Sequence, residues 1–428
     1  MRVAIVGTGY VGLVSGACLA DLGHAVVCID TDEAKVAKLL QGVMPIYEPG
    51  LEELVKRNFQ AGRLKFTTSF SEGVPGAEVI SIAVGTPSAS DGSVDMQYVD
   101  TAARMIGENL TGYAVIADKS TVPVGTSERV TEMIKAATAH EFDVVSNPEF
   151  LREGHAIWDF LKPARIVIGS SSVRAIDVMR GMYAHIDCPK IVMDARSAEL
   201  TKYASNAFLA TKISFINEVS HLCEAVGADV EAVAAGMGSD PRIGKEFLKA
   251  GPGWGGSCFP KDVKAFLKLG EANQHPMPVT NAALAMNKLA RSRVVDRLDK
   301  ELGGLSGRVV GILGVAFKGN TDDTRESPAI DIIRQCVERG ARVTVYDPEA
   351  RVSLELHGVE VPHAATPYEA VGNADAMVIA TEWEEFRTLD LEKLKQVMAG
   401  TLILDARNLL FRDAADKYGF RYLRIGKK

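Results

Sequence analysis

The segment GPGWGGSCFPKD, residues 251–262, sets one cysteine, Cys258, among glycines, two prolines and a tryptophan, with Lys261 and Asp262 directly after it. Pro260 suits the first turn of a helix, and PKDVKAFLKLGEA continues with helical character. Cys258 therefore falls at or just before a helix N-terminus. The partial positive charge there, with Lys261 nearby, favours thiolate over thiol. The glycines would let a substrate approach the backbone, and Trp254 could tighten a pocket around it. The residues alone leave two readings open: a nucleophilic thiol, or a glycine-rich hinge with an incidental cysteine.

A second segment with chemistry lies at the start. RVAIVGTGYVG holds Gly7-x-Gly9-x-x-Gly12 between a β-rich run and a helical one, and Asp30 ends the next β-rich run, HAVVCID. Gly7 permits a tight turn, Gly9 lets the backbone approach a pyrophosphate, and Gly12 lets helix and strand pack closely. The helix N-terminus then offers free N–H groups to the phosphates. Asp30 would accept hydrogen bonds from ribose hydroxyls and repel a 2′-phosphate, which favours NAD over NADP. Lys35, a turn further on, tempers that preference. The competing reading is a tight βα turn without a ligand. GILGVAFKGN, in the second half, lacks this spacing.

These residues need elements to hold them. RVAIVG, HAVVCID, EVISIAVG, YAVIADKS, FDVVSNP and RIVIGS read as buried strands of a parallel sheet covered on both faces. From 197 to 227 the pattern is one long helix, in which Leu200, Tyr203, Ala204, Ala207, Phe208 and Thr211 follow helical spacing. Another helix is expected from 281 to 300. RVVGILG, RVTVYDP, DAMVIAT and GTLILDAR then read as four more strands. The fold class predicted is α/β: two Rossmann-like doubly wound domains joined by a central helical region with a long helix. The boundaries predicted are 1–196 for dinucleotide binding, 197–300 for the helical linker, and 301–428 for the second α/β domain.

Composition narrows the function. The 428 residues are 47% hydrophobic and 24% charged, with a formal net charge of −7. That excludes a nucleic-acid surface, and an anionic ligand would need a local basic pocket. The cysteines at 18, 28, 188, 223, 258 and 336 form no C-x-x-C pair. Neither a metal site nor a disulfide framework is expected, and reduced thiols point to a cytoplasmic protein. The uncharged stretch after Arg2 reads as a strand and helix rather than a secretory leader. No segment reads as a membrane span.

GTGYVG, STVPVGT, NPEFLREG, ELTKYASNAFLATKISFINE, GGSCFPKD and FKGNTDDTRESP occur in that order. Over nearly the whole chain, the sequence resembles the UDP-glucose 6-dehydrogenases of the UDP-glucose/GDP-mannose dehydrogenase family. The resemblance implies a four-electron, NAD-dependent oxidation of UDP-glucose to UDP-glucuronate, with Cys258 as the nucleophile that carries a thiohemiacetal and then a thioester. It implies that Lys202 and Asn206, four apart on the long helix, stabilise oxyanions, and that Asp262 works with Lys202. Glu153 becomes the candidate base for thioester hydrolysis and Glu149 a supporting acid. Thr121 orders a water or contacts the nicotinamide side. Cofactor contacts are implied for Tyr10, Val11, Lys35, Thr86, Lys261 and Arg325, beside Gly7, Gly9, Gly12 and Asp30.

For the substrate, the resemblance implies Lys318 from the FKGN loop, Leu151 and Arg152 beside Glu149, and Gly255 in the cysteine loop. In PRIGKEFLKAG, Phe247 would cover the base, Leu248 and Lys249 would lie along the loop, and Arg242 would enter from a neighbouring subunit. That last role implies a homodimer or higher homo-oligomer. Three rival readings stand: a GDP-mannose or UDP-N-acetylhexosamine 6-dehydrogenase, a two-electron dehydrogenase with an incidental cysteine, and a non-catalytic NAD-binding sensor.

Overall fold

The structure, a computed structural model, describes residues 1–87, 89, 92–351, 353–356 and 358–427. They divide into two compact units: Met1–Ser205 with Lys264–Leu269, and Asn206–Val263 with Gly270–Lys428.

The first unit is built on an eight-stranded sheet. In chain order its strands are β1 (Arg2–Val6), β2 (Ala25–Ile29), β3 (Leu64–Thr67), β4 (Val79–Ile82), β5 (Ala114–Asp118), β6 (Phe142–Ser146), β7 (Ile166–Gly169) and β8 (Lys190–Met193). They lie in the order β3-β2-β1-β4-β5-β6-β7-β8. Alternate side chains of β1 feed separate cores. Val3 and Ile5 pack with Leu13 and Val14, while Ala4 and Val6 pack with Val99, Ile106 and Ile134. A strand buried on both faces reads as an unbroken apolar run, which is why the sequence marks β1 and β4 so clearly. The sequence reading missed β3 and β8. It also took the sheet as wholly parallel, whereas β6 meets β7 antiparallel through Ser146 and Gly169.

Strand order reverses between β1 and β4, and the first βα turn lies at that switch point. The turn leads into the helix Tyr10–Asp21. Gly7 has φ +99°, and a Cβ there would lie 2.6 Å from the Ala83 carbonyl oxygen. A Cβ on Gly12 would lie 1.9 Å from the Gly7 carbonyl oxygen, whereas one on Gly9 would meet nothing within 4 Å.

The second unit holds a five-stranded parallel sheet of β9 (Val309–Leu313), β10 (Arg342–Tyr346), β13 (Ala376–Ile379), β14 (Leu402–Asp405) and β15 (Arg421–Arg424), in the order β10-β9-β13-β14-β15. β11 (Leu354–Leu356) and β12 (Val359–Val361) pair antiparallel. The sequence reading missed β11, β12 and β15. The order reverses between β9 and β13, so ligands of this unit are expected at the loops that follow those strands. The long helix is Ala195–Val226, and Gly227 after it has φ +79°. The helix foreseen at 281–300 runs Pro278–Leu302 and closes on Gly303 in the left-handed conformation. The helix Phe259–Ala272 begins directly after Cys258.

Gly12→Ala should cost about 1–3 kcal/mol, because its methyl group has no room beside the Gly7 carbonyl. Gly9→Ala, with open space, should leave stability nearly unchanged. Thermal unfolding of the two variants without ligand checks the contrast.

Candidate active site

The fingerprint turn is ordered from beneath. Asp30 accepts hydrogen bonds from the Thr8 N–H at 2.8 Å and the Thr8 hydroxyl at 2.6 Å, and its other oxygen accepts from the Asp32 N–H at 3.0 Å. Lys35 Nζ lies 2.9 Å from it. Burial acts to raise this carboxyl, but these donors hold it below the ordinary carboxylate range. Asp30 is thus an ionised group at the end of β2, beside an open Gly9 at a helix N-terminus. Those features fit a dinucleotide with free ribose hydroxyls. Val11 continues the same helix.

Tyr10 turns to a residue the sequence reading overlooked, Glu48. This buried carboxylate accepts from the Tyr10 hydroxyl, from Gly154 N–H at 2.6 Å and from Ala156 N–H at 2.7 Å. Burial and the Glu48 charge push the Tyr10 phenol up, so it stays a donor. The fingerprint helix and the end of NPEFLREG, where Glu153 lies buried, are held by one carboxylate. Glu48 sits in IYEPG, where Pro and Gly read as an exposed turn. That is why it carried no signal.

Glu149 and Lys202 form a buried ion pair in the first unit. Lys202 Nζ lies 2.8 Å from both Glu149 Oε1 and the Glu149 carbonyl oxygen, and the side chains are 4% and 5% exposed. The other carboxylate oxygen accepts from Leu151 N–H at 2.6 Å. Burial acts to raise Glu149, but the Lys202 ammonium and this amide hold it below its ordinary range. Arg152 is paired with Asp159 at 2.7 Å. Thr86 is buried and Thr121 half-buried.

In the second unit, Cys258 stands half-buried at the start of Phe259–Ala272, and its carbonyl accepts the Asp262 N–H at 2.8 Å. Pro260 lies in the first turn, as the sequence predicts. Asp262 is fully buried. It accepts from Asn206 Nδ2 and from Lys261 Nζ, each at 2.6 Å. Residues 56 apart in the chain thus meet around one carboxylate.

The cysteine loop packs against atoms of its own unit. Its glycines are required by the protein's own atoms. A Cβ on Gly255 would lie 2.3 Å from the Glu326 carbonyl oxygen, and one on Gly256 would lie 2.8 Å from the Phe317 ring. Trp254 is buried in the same packing. It is 4% exposed, and its Nε1–H donates to Ser214 Oγ at 3.0 Å. Both features hold the loop in the unit's interior.

The remaining candidates are also in this unit. Lys318 follows β9 at the switch point, with Nζ 5.6 Å from the Phe317 ring centroid. Arg325 is paired with Asp323 at 2.7 Å. Phe247 has φ +64°, a costly conformation for a bulky residue, and its ring lies 6.2 Å from that of Phe259. Leu248 packs into the core, which leaves only its backbone for a ligand. Lys249 is exposed, and Arg242 is exposed and paired with Asp240. Arg407, overlooked in the sequence, donates to the Ala380 and Phe317 carbonyls at 2.9 Å each and so ties together the loops after β13 and β9.

Comparison with known proteins bears on this arrangement. Residues 1–187 match the NAD binding domain of the UDP-glucose/GDP-mannose dehydrogenase family, 196–289 its central domain and 311–412 its UDP binding domain. The chain is 48% identical to a UDP-glucose 6-dehydrogenase of Rhizobium meliloti, with 100% of both chains covered. It is 46% identical to UDP-glucose 6-dehydrogenase TuaD of Bacillus subtilis, covering 100% of this chain and 93% of that one. Among solved structures, a UDP-glucose dehydrogenase of Pyrobaculum islandicum superposes with TM-score 0.92 at 42% identity, covering 100% and 98%. A UDP-ManNAc dehydrogenase of Pyrococcus horikoshii gives TM-score 0.87 at 27% identity, covering 100% and 99%.

Glu149→Gln leaves the Lys202 ammonium buried without its anion and should cost about 3–5 kcal/mol at neutral pH. The wild-type advantage comes from a depressed carboxyl. It is fully present above the unfolded pKa of about 4.3 and is lost as pH falls through the lower folded value. Denaturant unfolding of both proteins from pH 7 down to pH 3 should show the gap closing. A gap independent of pH would refute the ionised pair.

Proposed function

Because this chain belongs to the UDP-glucose/GDP-mannose dehydrogenase family and is an NAD-dependent oxidoreductase, we propose that it oxidises UDP-glucose to UDP-glucuronate through a covalent adduct on Cys258. The observation that carries this reading is Cys258 at a helix N-terminus, one turn before a buried Asp262 that is hydrogen-bonded to Asn206. An incidental cysteine would not need that surrounding.

Gly7, Gly9, Gly12 and Asp30 hold the cofactor, with Tyr10, Val11, Lys35, Thr86, Lys261 and Arg325 around it. When bound, NAD accepts the hydrides, two for each four-electron oxidation. The chain supplies the rest. Asp262 takes up the proton of the C6 hydroxyl, and the Lys202 ammonium steadies the oxygen as the alcohol becomes an aldehyde. The Cys258 Sγ lone pair forms a C–S bond to the aldehyde carbon, and the carbonyl π pair moves to oxygen. Lys202 and Asn206 steady that oxygen. After the second oxidation the adduct is a thioester. Glu153 draws a proton from water, with Thr121 ordering it and Glu149 fixing Lys202. Water adds to the acyl carbon, the C–S bond breaks with its electron pair leaving on sulfur as thiolate, and the acid formed gives its remaining proton to solvent as it departs as the carboxylate.

Lys318 and Gly255 would face the sugar diphosphate, with Phe247, Leu248 and Lys249 along the nucleotide, and Leu151 and Arg152 near the sugar. Arg242 would serve a neighbouring subunit. In support of a homodimer, the long helix exposes Phe208, Phe215, Leu222 and Val226, 47–69% accessible, at spacings of 7, 7 and 4. We place the protein in the cytoplasm. Among the described residues, no helix is long and apolar enough to cross a membrane.

The wild type should form two NADH per UDP-glucuronate, and Cys258→Ala should form no UDP-glucuronate while still binding NAD and UDP-glucose by calorimetry. One NADH per turnover, or an active Cys258→Ala variant, overturns the mechanism. A parallel assay with GDP-mannose and UDP-ManNAc tests the substrate. Phe208→Glu combined with Phe215→Glu should convert the dimer to monomer in light scattering after size exclusion.

A further inference from the structure

The cysteine loop is suspended from two helices and one turn of its own unit. From the long helix, Asn217 Oδ1 accepts the Gly251 N–H at 2.8 Å, and Ser214 holds the Trp254 indole while donating to the Ala283 carbonyl at 2.8 Å. From the helix Pro278–Leu302, Asn287 accepts the Trp254 N–H at 2.7 Å and returns a bond to the Trp254 carbonyl at 2.9 Å. Arg291, one helical turn on and 8% exposed, donates through Nη2 to that same carbonyl at 2.6 Å.

Arg291 reaches a second segment as well. The same Nη2 lies 3.2 Å from the Glu326 carbonyl, and Nη1 is paired with Asp331 on the helix Pro328–Glu338. Glu326 stands at φ +51°, an uncommon and strained backbone for a non-glycine residue. Its carbonyl is the atom against which Gly255 packs, and the neighbouring Arg325 carbonyl accepts the Gly256 N–H at 2.9 Å. One guanidinium therefore bonds two carbonyls on separate segments, four residues before Cys258 and one residue after Arg325. Nη2 takes both carbonyls while Nη1 takes Asp331, and a planar fork can meet three acceptors so arranged, whereas a single ammonium cannot hold the two carbonyls and Asp331 in that geometry.

We propose that Arg291 is a positioning residue that fixes the Cys258 loop against the 325–327 turn, so that the thiol meets the aldehyde before the aldehyde escapes. The proposal rests on the covalent mechanism above and extends it to a residue that touches neither substrate nor cofactor. A loosened loop would leave the first oxidation largely intact and slow C–S bond formation. A displacement of about 1 Å suffices for a loss near 100-fold in such a step.

Arg291→Lys keeps the charge and loses the fork. Net conversion to UDP-glucuronate should fall about 10- to 100-fold, with the KM for NAD within about twofold of wild type. The yield should drop from two NADH towards one per UDP-glucose consumed, and semicarbazide should trap the released aldehyde for detection by mass spectrometry. Wild-type rate and stoichiometry in Arg291→Lys, or a loss of both oxidations in equal proportion with no trapped aldehyde, overturns the proposal. If Arg291→Lys does not fold, Asp331→Asn, which frees the guanidinium from its anchor, must release aldehyde in the same assay, and no release overturns the proposal. Failure of the covalent mechanism itself looks different. Wild type would then yield one NADH per turnover, and Cys258→Ser would match it.

Discussion

The rest of the structure depends on the buried polar groups of the long helix Ala195–Val226. They share its buried side with Tyr203, Ala207 and Ala210, while its exposed side carries large apolar side chains such as Phe208 and Leu222. Glu199, Lys202, Asn206, Ser214, Asn217 and Ser220 are all under 7% exposed, at spacings that keep them on one side of a helix of about 3.6 residues per turn. Buried polar groups must find partners or the fold loses free energy. Five of them therefore recruit a distant segment, while Ser220 bonds the Asn217 carbonyl of its own helix. Glu199 takes Gly125 and Ser127 N–H groups, Lys202 takes Glu149, Asn206 takes Asp262, Ser214 takes Trp254, and Asn217 takes Gly251. Within each unit, the segments that hold the candidate residues are thereby pinned to their part of the helix by hydrogen bonds as well as by apolar packing, whose geometry is less exact.

That pinning has an electrostatic side. The chain carries net charge −7, yet its long helix buries an ammonium, and the helix Pro278–Leu302 buries a guanidinium. Each meets a carboxylate and main-chain oxygen, Lys202 at Glu149 and Arg291 at Asp331, Trp254 and Glu326. Such pairs contribute little net stability, because desolvation offsets most of the attraction. They do define one geometry, since losing either partner strands a buried charge. Within each unit, the buried charge gains more definition from its partner than it would from further apolar burial.

How much was legible follows from the same physics. The fingerprint could be read because steric constraints fall on Gly7 and Gly12 in a fixed spacing, with an open Gly9 between them. Cys258 could be set before a helix because Pro260 suits a first turn. The helical spacing of Leu200, Tyr203, Ala207 and Phe208 was visible, but not that it joins two faces. Tyr203 and Ala207 are buried, and Leu200 and Phe208 are exposed. Short strands such as β8 and β15, flanked or headed by charges, lack the unbroken apolar run that marks β1 and β4. Asn287 and Arg291 were invisible. An amide and an arginine four apart on a helix read as a solvated face, and only the fold turns that face inward.

The overlooked residues share a feature that explains both their silence and their use. Glu48, Asn287, Arg291 and Arg407 all bond main-chain groups of segments distant in sequence: Glu48 to Gly154 and Ala156, Asn287 and Arg291 to Trp254, Arg407 to Phe317 and Ala380. A side chain that binds substrate is constrained by the substrate's chemistry, so its type can be guessed. A side chain that binds a loop's backbone answers to a carbonyl or N–H whose position exists only after folding. The loops beside the catalytic candidates are irregular, so their backbone groups lack the partners that a helix or sheet would supply. Those unmet groups fix what the supporting residues must be: acids and amides where N–H groups converge, and guanidinium groups where carbonyls do. The irregularity that lets a glycine-rich loop present a thiol is thus the cause of the polar framework around it.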